Sequence, residues 1–282
     1  MNSYIDKIDT ITNCAPCQDK TKTKTKFKTC YSIESLIKIA NIWNENNKDK
    51  YIKIDKQSKR QIWKKIQKNL NMVCSKNEYC WKKQNFIKKI KDIEIEMFTF
   101  KPDYPEEWFK NEKTWLNTYD IYYVMKQYEK TYNDFIFLGP VPSDCPTQIH
   151  CELTKLDLIE LKKKKINKIG IIYNLDKSSG NGTHWVALYI DNKNDEINYY
   201  DSYGTIPIKL IHNFIKNIAI KHNLKIIYND KRHQYGNSEC GVYSMNFILE
   251  RLHGKTMYDI SNMKIPDSHM NYLRKLLYNK SK

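Results

Sequence analysis

A cysteine, a histidine, an aspartate and a glutamine stand in the second half of this 282-residue chain in an order that can perform acyl transfer. Cys240 sits where a loop of turn formers, Tyr235-Gly236-Asn237-Ser238, runs into the apolar stretch 242–252. A thiol at a helix N-terminus feels the positive end of the macrodipole, which favours the nucleophilic thiolate. Gly241, next to it, lets a substrate backbone approach closely. His184 precedes the strand-like run 185–190 and can reach across to a helix start as general base. Asp201 ends the next strand-like run, 197–200, where it can fix the histidine tautomer and stabilise imidazolium. Gln234 lies six residues before Cys240. Its side-chain amide, with the Cys240 backbone N–H, can stabilise a tetrahedral oxyanion. An arbitrary cysteine is more often an inert buried thiol. The convergence of three partners on Cys240 is what favours a nucleophile.

The elements that must position these groups follow from periodicity. Residues 1–30 are irregular, and the run Lys20-Thr21-Lys22-Thr23-Lys24-Thr25-Lys26 has nothing to bury, which predicts a solvated tail. Apolar residues then fall at helical spacing: Ile33, Leu36, Ile37 and Ala40; Ile62, Ile66, Leu70 and Val73; Phe86, Ile87, Ile90, Ile93 and Met97. Asp55-Lys56-Gln57-Ser58 offers a start for the second helix. A Pro-punctuated connector at 100–105 separates this region from a helix at 116–128 and an apolar run at 135–138. Strand-like runs at 169–173, 185–190 and 197–200, a helix at 208–222, a strand at 224–228 and a buried helix at 242–252 complete the pattern. Mixed α and β of this kind predicts a sheet flanked by helices.

Gly182-Thr183-His184-Trp185-Val186-Ala187, then Tyr200-Asp201-Ser202, then Gln234 followed by Cys240-Gly241-Val242-Tyr243 resembles the ubiquitin-like-protein-specific (SUMO) protease family. That family is related to the adenovirus maturation protease and to core proteases of large cytoplasmic DNA viruses. The 17-residue interval from His184 to Asp201 is shared with it, and Trp115-Leu116-Asn117-Thr118 resembles the start of its tryptophan-containing helix. The match covers roughly 108–252. The resemblance implies an α+β, papain-like cysteine protease core over 98–282, with 1–97 as a basic tail and helical N-terminal extension. It implies a His184–Asp201–Cys240 triad assisted by Gln234, with Trp115 and Trp185 pinching a tunnel for glycines before the scissile bond. Where SUMO proteases usually carry an acidic residue three positions after the first tryptophan, this chain has Thr118. The expectation is a cysteine endopeptidase cutting after small, Gly-Gly-like sites, without metal or organic cofactor. Its substrates would be virion core or capsid precursors of a large DNA virus, placing it in the virion and host cytoplasm. The alternatives are a deSUMOylase acting on ubiquitin-like conjugates, intracellular and soluble, a same-order acetyltransferase, or a catalytically dead binding module.

Composition bounds the remaining readings. There are 48 basic against 32 acidic residues, a formal charge of +16, yet only Arg60, Arg232, Arg251 and Arg274 are arginines. Phosphate-shaped surfaces favour the arginine fork. Much of the charge therefore reads as codon composition, leaving a weak, salt-sensitive nucleic-acid association through the Lys-rich segments, 161–165 among them. No run nears the ~20 apolar residues of a membrane span, and the charged N-terminus lacks a signal-peptide core. Eight cysteines are too sparse for a disulfide scaffold, so most are expected as free thiols. Cys14, Cys17, Cys30, Cys74 and Cys80, or Cys145, His150 and Cys151, could hint at zinc, but ligand spacing is incomplete. His233 adjoins Gln234 and reads as an ordinary loop residue.

Overall fold

A computed structural model of the chain describes residues 13–18, 29–263 and 265–280; the Lys20–Lys26 run and the terminal segments lie outside the described residues. The described residues divide into two compact units, one made of those within 105–277, the other of those within 13–104 together with 278–280. The sequence puts the boundary at 97/98. The division after Tyr104 follows from main-chain pairing in the smaller unit, where Tyr104 N donates to Asn279 O at 2.9 Å and Asn279 N to Pro102 O at 2.8 Å.

The smaller unit is helical. Its elements are α1 (Ile33–Asn46), α2 (Lys59–Cys74), α3 (Glu78–Lys82) and α4 (Asn85–Lys88). Ser32 caps α1 by accepting from Ser35 N, and Ser58 with Gln61 forms a capping box on α2. Leu36, Ile39 and Ala40 share a core with Ile62, Ile66, Leu70 and Trp81. The stripe at 86–97 does not make one helix. Lys91 adopts φ 48°, and Asp92 Oδ1 accepts from Ile95 N at 3.1 Å, so a local side-chain bond replaces a helical one. The free-thiol expectation is corrected here: Cys14 is joined to Cys30 and Cys74 to Cys80, while the Cys17 thiol donates to Phe98 O at 3.3 Å. Each pair meets with Cα atoms 5.0 and 5.4 Å apart, within disulfide reach.

The larger unit begins with α5 (Thr118–Thr131) and the short strands β1 (Phe135–Phe137) and β2 (Val141–Pro142). After α6 (Leu158–Lys163) come β3 (Lys168–Asn174), β4 (Trp185–Asp191) and β5 (Glu196–Tyr200). Then follow α7 (Lys209–His222), β6 (Lys225–Tyr228), α8 (Cys240–Leu252), α9 (Met257–Asn262) and α10 (Asp267–Leu277). The strand order is β1-β3-β4-β5-β6, with β2 also on β3. β3, β4 and β5 run antiparallel to one another in turn, while β1 and β2 lie parallel to β3 and β6 parallel to β5.

Both faces of this sheet are buried, as near-continuous apolar strands require. Ile171, Tyr173, Val186, Leu188 and Tyr199 pack with Ile211, Phe214 and Ile215 of α7. The alternate residues meet α8. Tyr200 stacks on Phe247 at 4.8 Å, and Arg251 lies over Tyr189 while bonding Asp191. Gly170 leaves room for its neighbours, since a Cβ there would sit 3.2 Å from Ile248 Cδ1 of α8 and 2.9 Å from the Phe135 ring. All thirteen residues of α8 are buried. A helix buried all round is apolar over most of its surface, and this burial fixes its N-terminal end firmly against the sheet. Among the described residues no helix is long and apolar enough to cross a membrane.

Candidate active site

The antiparallel hairpin places an acid beside a base. β4 and β5 pair as far as Ala187 opposite Tyr200, so His184, before β4, and Asp201, after β5, emerge at the same end. His184 Nε2 lies 2.7 Å from Asp201 Oδ1, and both side chains are buried. Asp201 is held from several sides. Its Oδ1 also accepts from Tyr203 N at 2.9 Å, its Oδ2 accepts from the Thr205 hydroxyl, and its carbonyl accepts from Asn229 Nδ2 at 2.9 Å. A carboxylate satisfied this way fixes the imidazole's plane and tautomer.

The loop that leads into β4 is built around Asp176. Its Oδ2 accepts from Gly182 N at 2.9 Å and its Oδ1 from the Thr183 hydroxyl at 2.7 Å. Gly182 has φ 88°, a conformation that side chains avoid. His184 O closes the turn by accepting from Leu175 N at 2.9 Å.

Cys240 opens α8 and is in no disulfide. Burial disfavours a charged His184 ring, but hydrogen bonds to Asp201 and Cys240 and the attraction of both raise the imidazole to about 9. Because Nε2 faces Asp201, Nδ1 is the nitrogen left for the cysteine. The cluster therefore pairs sulfur, imidazolium and carboxylate in a buried setting, where such attractions weaken little with salt.

The loop ahead of Cys240 is laced to the Asp201 turn. His233 N and Gln234 N both donate to Ser202 O, at 2.8 and 2.9 Å. Gln234 is fully buried; its Oε1 accepts from the Ser202 hydroxyl at 2.7 Å and its Nε2 donates to Gly236 O at 3.1 Å. An amide nitrogen carries two hydrogens, so this arrangement commits one of them. Asp267 Oδ2 takes the N–H groups of Tyr235 and Gly236 at 3.0 and 2.7 Å. His233 is internal: Nε2 sits 3.2 Å from Ser261 O and Nδ1 2.8 Å from the Tyr200 hydroxyl, a neutral tautomer consistent with burial lowering its pKa.

Beside the cluster runs a cleft of about 480 Å³ walled by Trp115, Leu116, Thr118, Pro140, Asn174 and Trp185, among others. Trp185 Nε1 donates to Leu116 O at 3.0 Å, tying the strand wall to the segment bearing Trp115, which is 44% exposed. Gly241, expected to let a substrate backbone approach, is itself closely packed. A Cβ there would lie 3.0 Å from Leu116 Cδ1 and 3.2 Å from Trp185 Cδ1, so the protein's own side chains occupy the space on that side.

Ser202, Tyr203, Thr205, Asn229 and Asp267 are contributors that spacing does not reveal; only Ser202 lies within a quoted motif. Of the cysteines with a hint of zinc spacing, Cys14, Cys30, Cys74 and Cys80 are held in disulfides. Cys145 is joined to Cys151, and no group of three or more His, Cys, Asp or Glu able to hold a metal occurs among the described residues.

The sequence profile of the Ulp1 protease family, C-terminal catalytic domain, matches residues 160–282. A protein of Acanthamoeba polyphaga mimivirus, which carries a provisional thiol-protease name, is 31% identical over 273 residues, 89% of each chain. An African swine fever virus protein named a SUMO-1 cysteine protease is 27% identical over 152 residues, 46% of this chain and 56% of its own. A crystal structure of an African swine fever virus protease superposes with a TM-score of 0.67 at 19% identity, covering 99% of this chain and all of the other, a likeness of fold.

Proposed function

The chain belongs to the Ulp1 protease family of cysteine proteases, hydrolases by class, and we propose that Cys240, His184 and Asp201 are its triad, with Gln234 completing an oxyanion site. The observation that carries this is the single buried array in which His184 Nε2 meets Asp201 at 2.7 Å while the other ring nitrogen serves the thiol at the start of α8.

In this reading the Cys240 sulfur attacks the scissile carbonyl carbon and the C=O pair moves onto oxygen. The second N–H of Gln234 Nε2 and the Cys240 backbone N–H receive that oxyanion. Collapse expels the amine, which takes the proton from the His184 imidazolium. Water then gives a proton to the neutral ring and attacks the thioester, releasing the acid and restoring the thiol–imidazole pair. Asp201 holds the ring in one tautomer throughout. Trp115 and Trp185 form a slot that favours an extended main chain with little side chain, so glycine fits before the cut.

Virion core or capsid precursors cut after small residues are the substrates we favour, because the similar mimivirus and swine fever virus proteins are viral. The virion and host cytoplasm would then be the places of action, with Lys-rich segments giving weak attraction to nucleic acid. A second reading, hydrolysis of ubiquitin-like conjugates, is favoured by the SUMO-1 protease name of the swine fever relative. Thr118, at the first turn of α5 on the cleft wall, offers no charge to a modifier's tail and argues against it.

Comparison of new N-termini produced by the wild type and by Cys240→Ala in a lysate of the source system tests the proposal. Termini after Gly-Gly in structural proteins support precursor processing, and release of a small modifier from lysine supports the isopeptidase. Identical termini from both proteins would end the triad assignment.

A further inference from the structure

Arg274, on α10, is the most deeply buried basic side chain among the described residues, at 1% exposure. The Arg274 guanidinium directs its fork at main-chain oxygens. Nη1 donates to Glu112 O at 2.8 Å and to Thr114 O at 2.6 Å, and Nη2 donates to Ser238 O at 2.7 Å. Its plane lies 4.9 Å from the Trp108 ring.

These acceptors come from two places that matter. The first two belong to the strap that ends in Trp115 and Leu116, one wall of the cleft. The third lies two residues before Cys240. A buried charge is costly, and packed apolar residues often hold a core equally well. The planar, multi-donor fork is suited to fixing several acceptors at defined angles, which neither lysine nor an apolar side chain can do. Leu116 in turn sits against Gly241 and accepts from Trp185, so a shift of the strap would be felt at the slot.

We propose that Arg274 is a positioning residue that sets the width of the Trp115–Trp185 slot relative to Cys240, and so sets the preference for glycine. The inference rests on the protease reading and names what determines its specificity. Small misplacements of this kind carry large kinetic consequences.

The test uses the full chain with Arg274→Lys, which keeps the charge and loses the fork, and Arg274→Met, which keeps the bulk and loses both. Three measurements are made: amide hydrogen exchange by peptide segment, kcat and KM on matched Gly-Gly and Ala-Ala peptides, and the rate of Cys240 alkylation by iodoacetamide. We expect faster exchange at 110–118 with 185–191 unchanged, and KM for the glycine peptide raised about tenfold. Glycine-over-alanine preference should fall by a similar factor, with alkylation and kcat little altered. Unchanged exchange at 110–118, or an unchanged preference once the strap has loosened, overturns the proposal. So does loosening across 185–191 together with slowed alkylation, which would make Arg274 a general stabiliser. A wild type that cleaves no peptide overturns the protease reading, and exchange at 110–118 still decides whether Arg274 holds the strap.

Discussion

The ring of Tyr203 lies flat against the His184 imidazole, with centroids 4.8 Å apart and planes 19° from parallel. Tyr203 is itself anchored, its N–H on Asp201 Oδ1 and its hydroxyl donating to Gly236 O at 3.0 Å. One residue thus touches base, acid and the loop that carries Gln234. Stacked rings favour a single imidazole plane and shield one of its faces. Tyr203→Ala should lower kcat/KM on a glycine peptide by about tenfold, while Tyr203→Phe, which keeps the ring, should retain most activity. Steady-state kinetics on both variants decides it, and equal activity of the Ala variant and the wild type would show that the stack is incidental.

The His184 imidazole, raised to about 9, gives a pH prediction with a definite sign. A base raised above its ordinary value stays protonated through neutrality and loses its proton only as pH climbs past the shifted value. In the proposed mechanism the imidazolium is the acid that serves the leaving amine, so kcat/KM should fall on the alkaline side near pH 9. Asp201→Asn removes the charge and weakens the bond that raises the ring, and the limb should move toward lower pH. A pH profile of both enzymes measures this; an alkaline limb that does not move would detach it from His184.

The legible parts of the site are those with local signatures. His184 and Asp201 flank apolar runs whose period and length mark strands, and Cys240 opens an apolar run long enough for a helix. Their meeting follows from the hairpin, since β4 and β5 are neighbours in sequence and pair antiparallel. Tyr203 and Arg274 are invisible by comparison. One is a tyrosine among 21, and the other reaches acceptors 36 to 162 residues away. Gly241 is readable as a place of close approach, but not what approaches it. Periodicity also fails at 86–97, because a hydrophobic stripe does not register Lys91 in the left-handed region. Cysteine spacing leaves pairing open, for an interval of six residues suits a disulfide only when a turn brings both Cβ atoms together.

Gln234 should act on the transition state more than on the bound substrate. Its Oε1 is fixed by the Ser202 hydroxyl at 2.7 Å, so the amide cannot swing away. Loss of one oxyanion donor costs about 10²–10³ in kcat. Gln234→Ala should therefore cut kcat by about that factor with KM changed far less. Ser202→Ala should give a smaller loss in kcat, since it frees the amide without removing it. Both are read from steady-state kinetics, and a pure KM effect in the glutamine variant would assign it to binding.

Three disulfides take six of the eight cysteines, and Cys17 and Cys240 lie outside them. Alkylation under denaturing, non-reducing conditions should label Cys17 and Cys240 alone, and reduction should expose the other six. Peptide mapping by mass spectrometry should find Cys14 linked to Cys30, Cys74 to Cys80 and Cys145 to Cys151. Labelling of all eight without reductant would return these pairs to free thiols.

Gly241→Ala tests whether the tight fit beside Cys240 is structural. Two opposing effects meet there. Alanine is the better helix former by about 1 kcal/mol in a helix interior, though less in the first turn. Against this, the new methyl would press on Leu116 Cδ1 at 3.0 Å and on Leu116 Cβ and Trp185 Cδ1 at 3.2 Å. Overpacking of that kind typically costs about 1–3 kcal/mol. Leu116 can give a few tenths of an ångström, but Trp185 is held by its bond to Leu116 O, so relief of one contact strains the other. The overpacking term should win, with a net loss of about 1 kcal/mol on denaturant unfolding. Displacement of Leu116 and Trp185 would also narrow the slot, so KM for a glycine peptide should rise. A variant as stable and as active as the wild type would mean that the slot walls yield freely and that glycine is not required at this position.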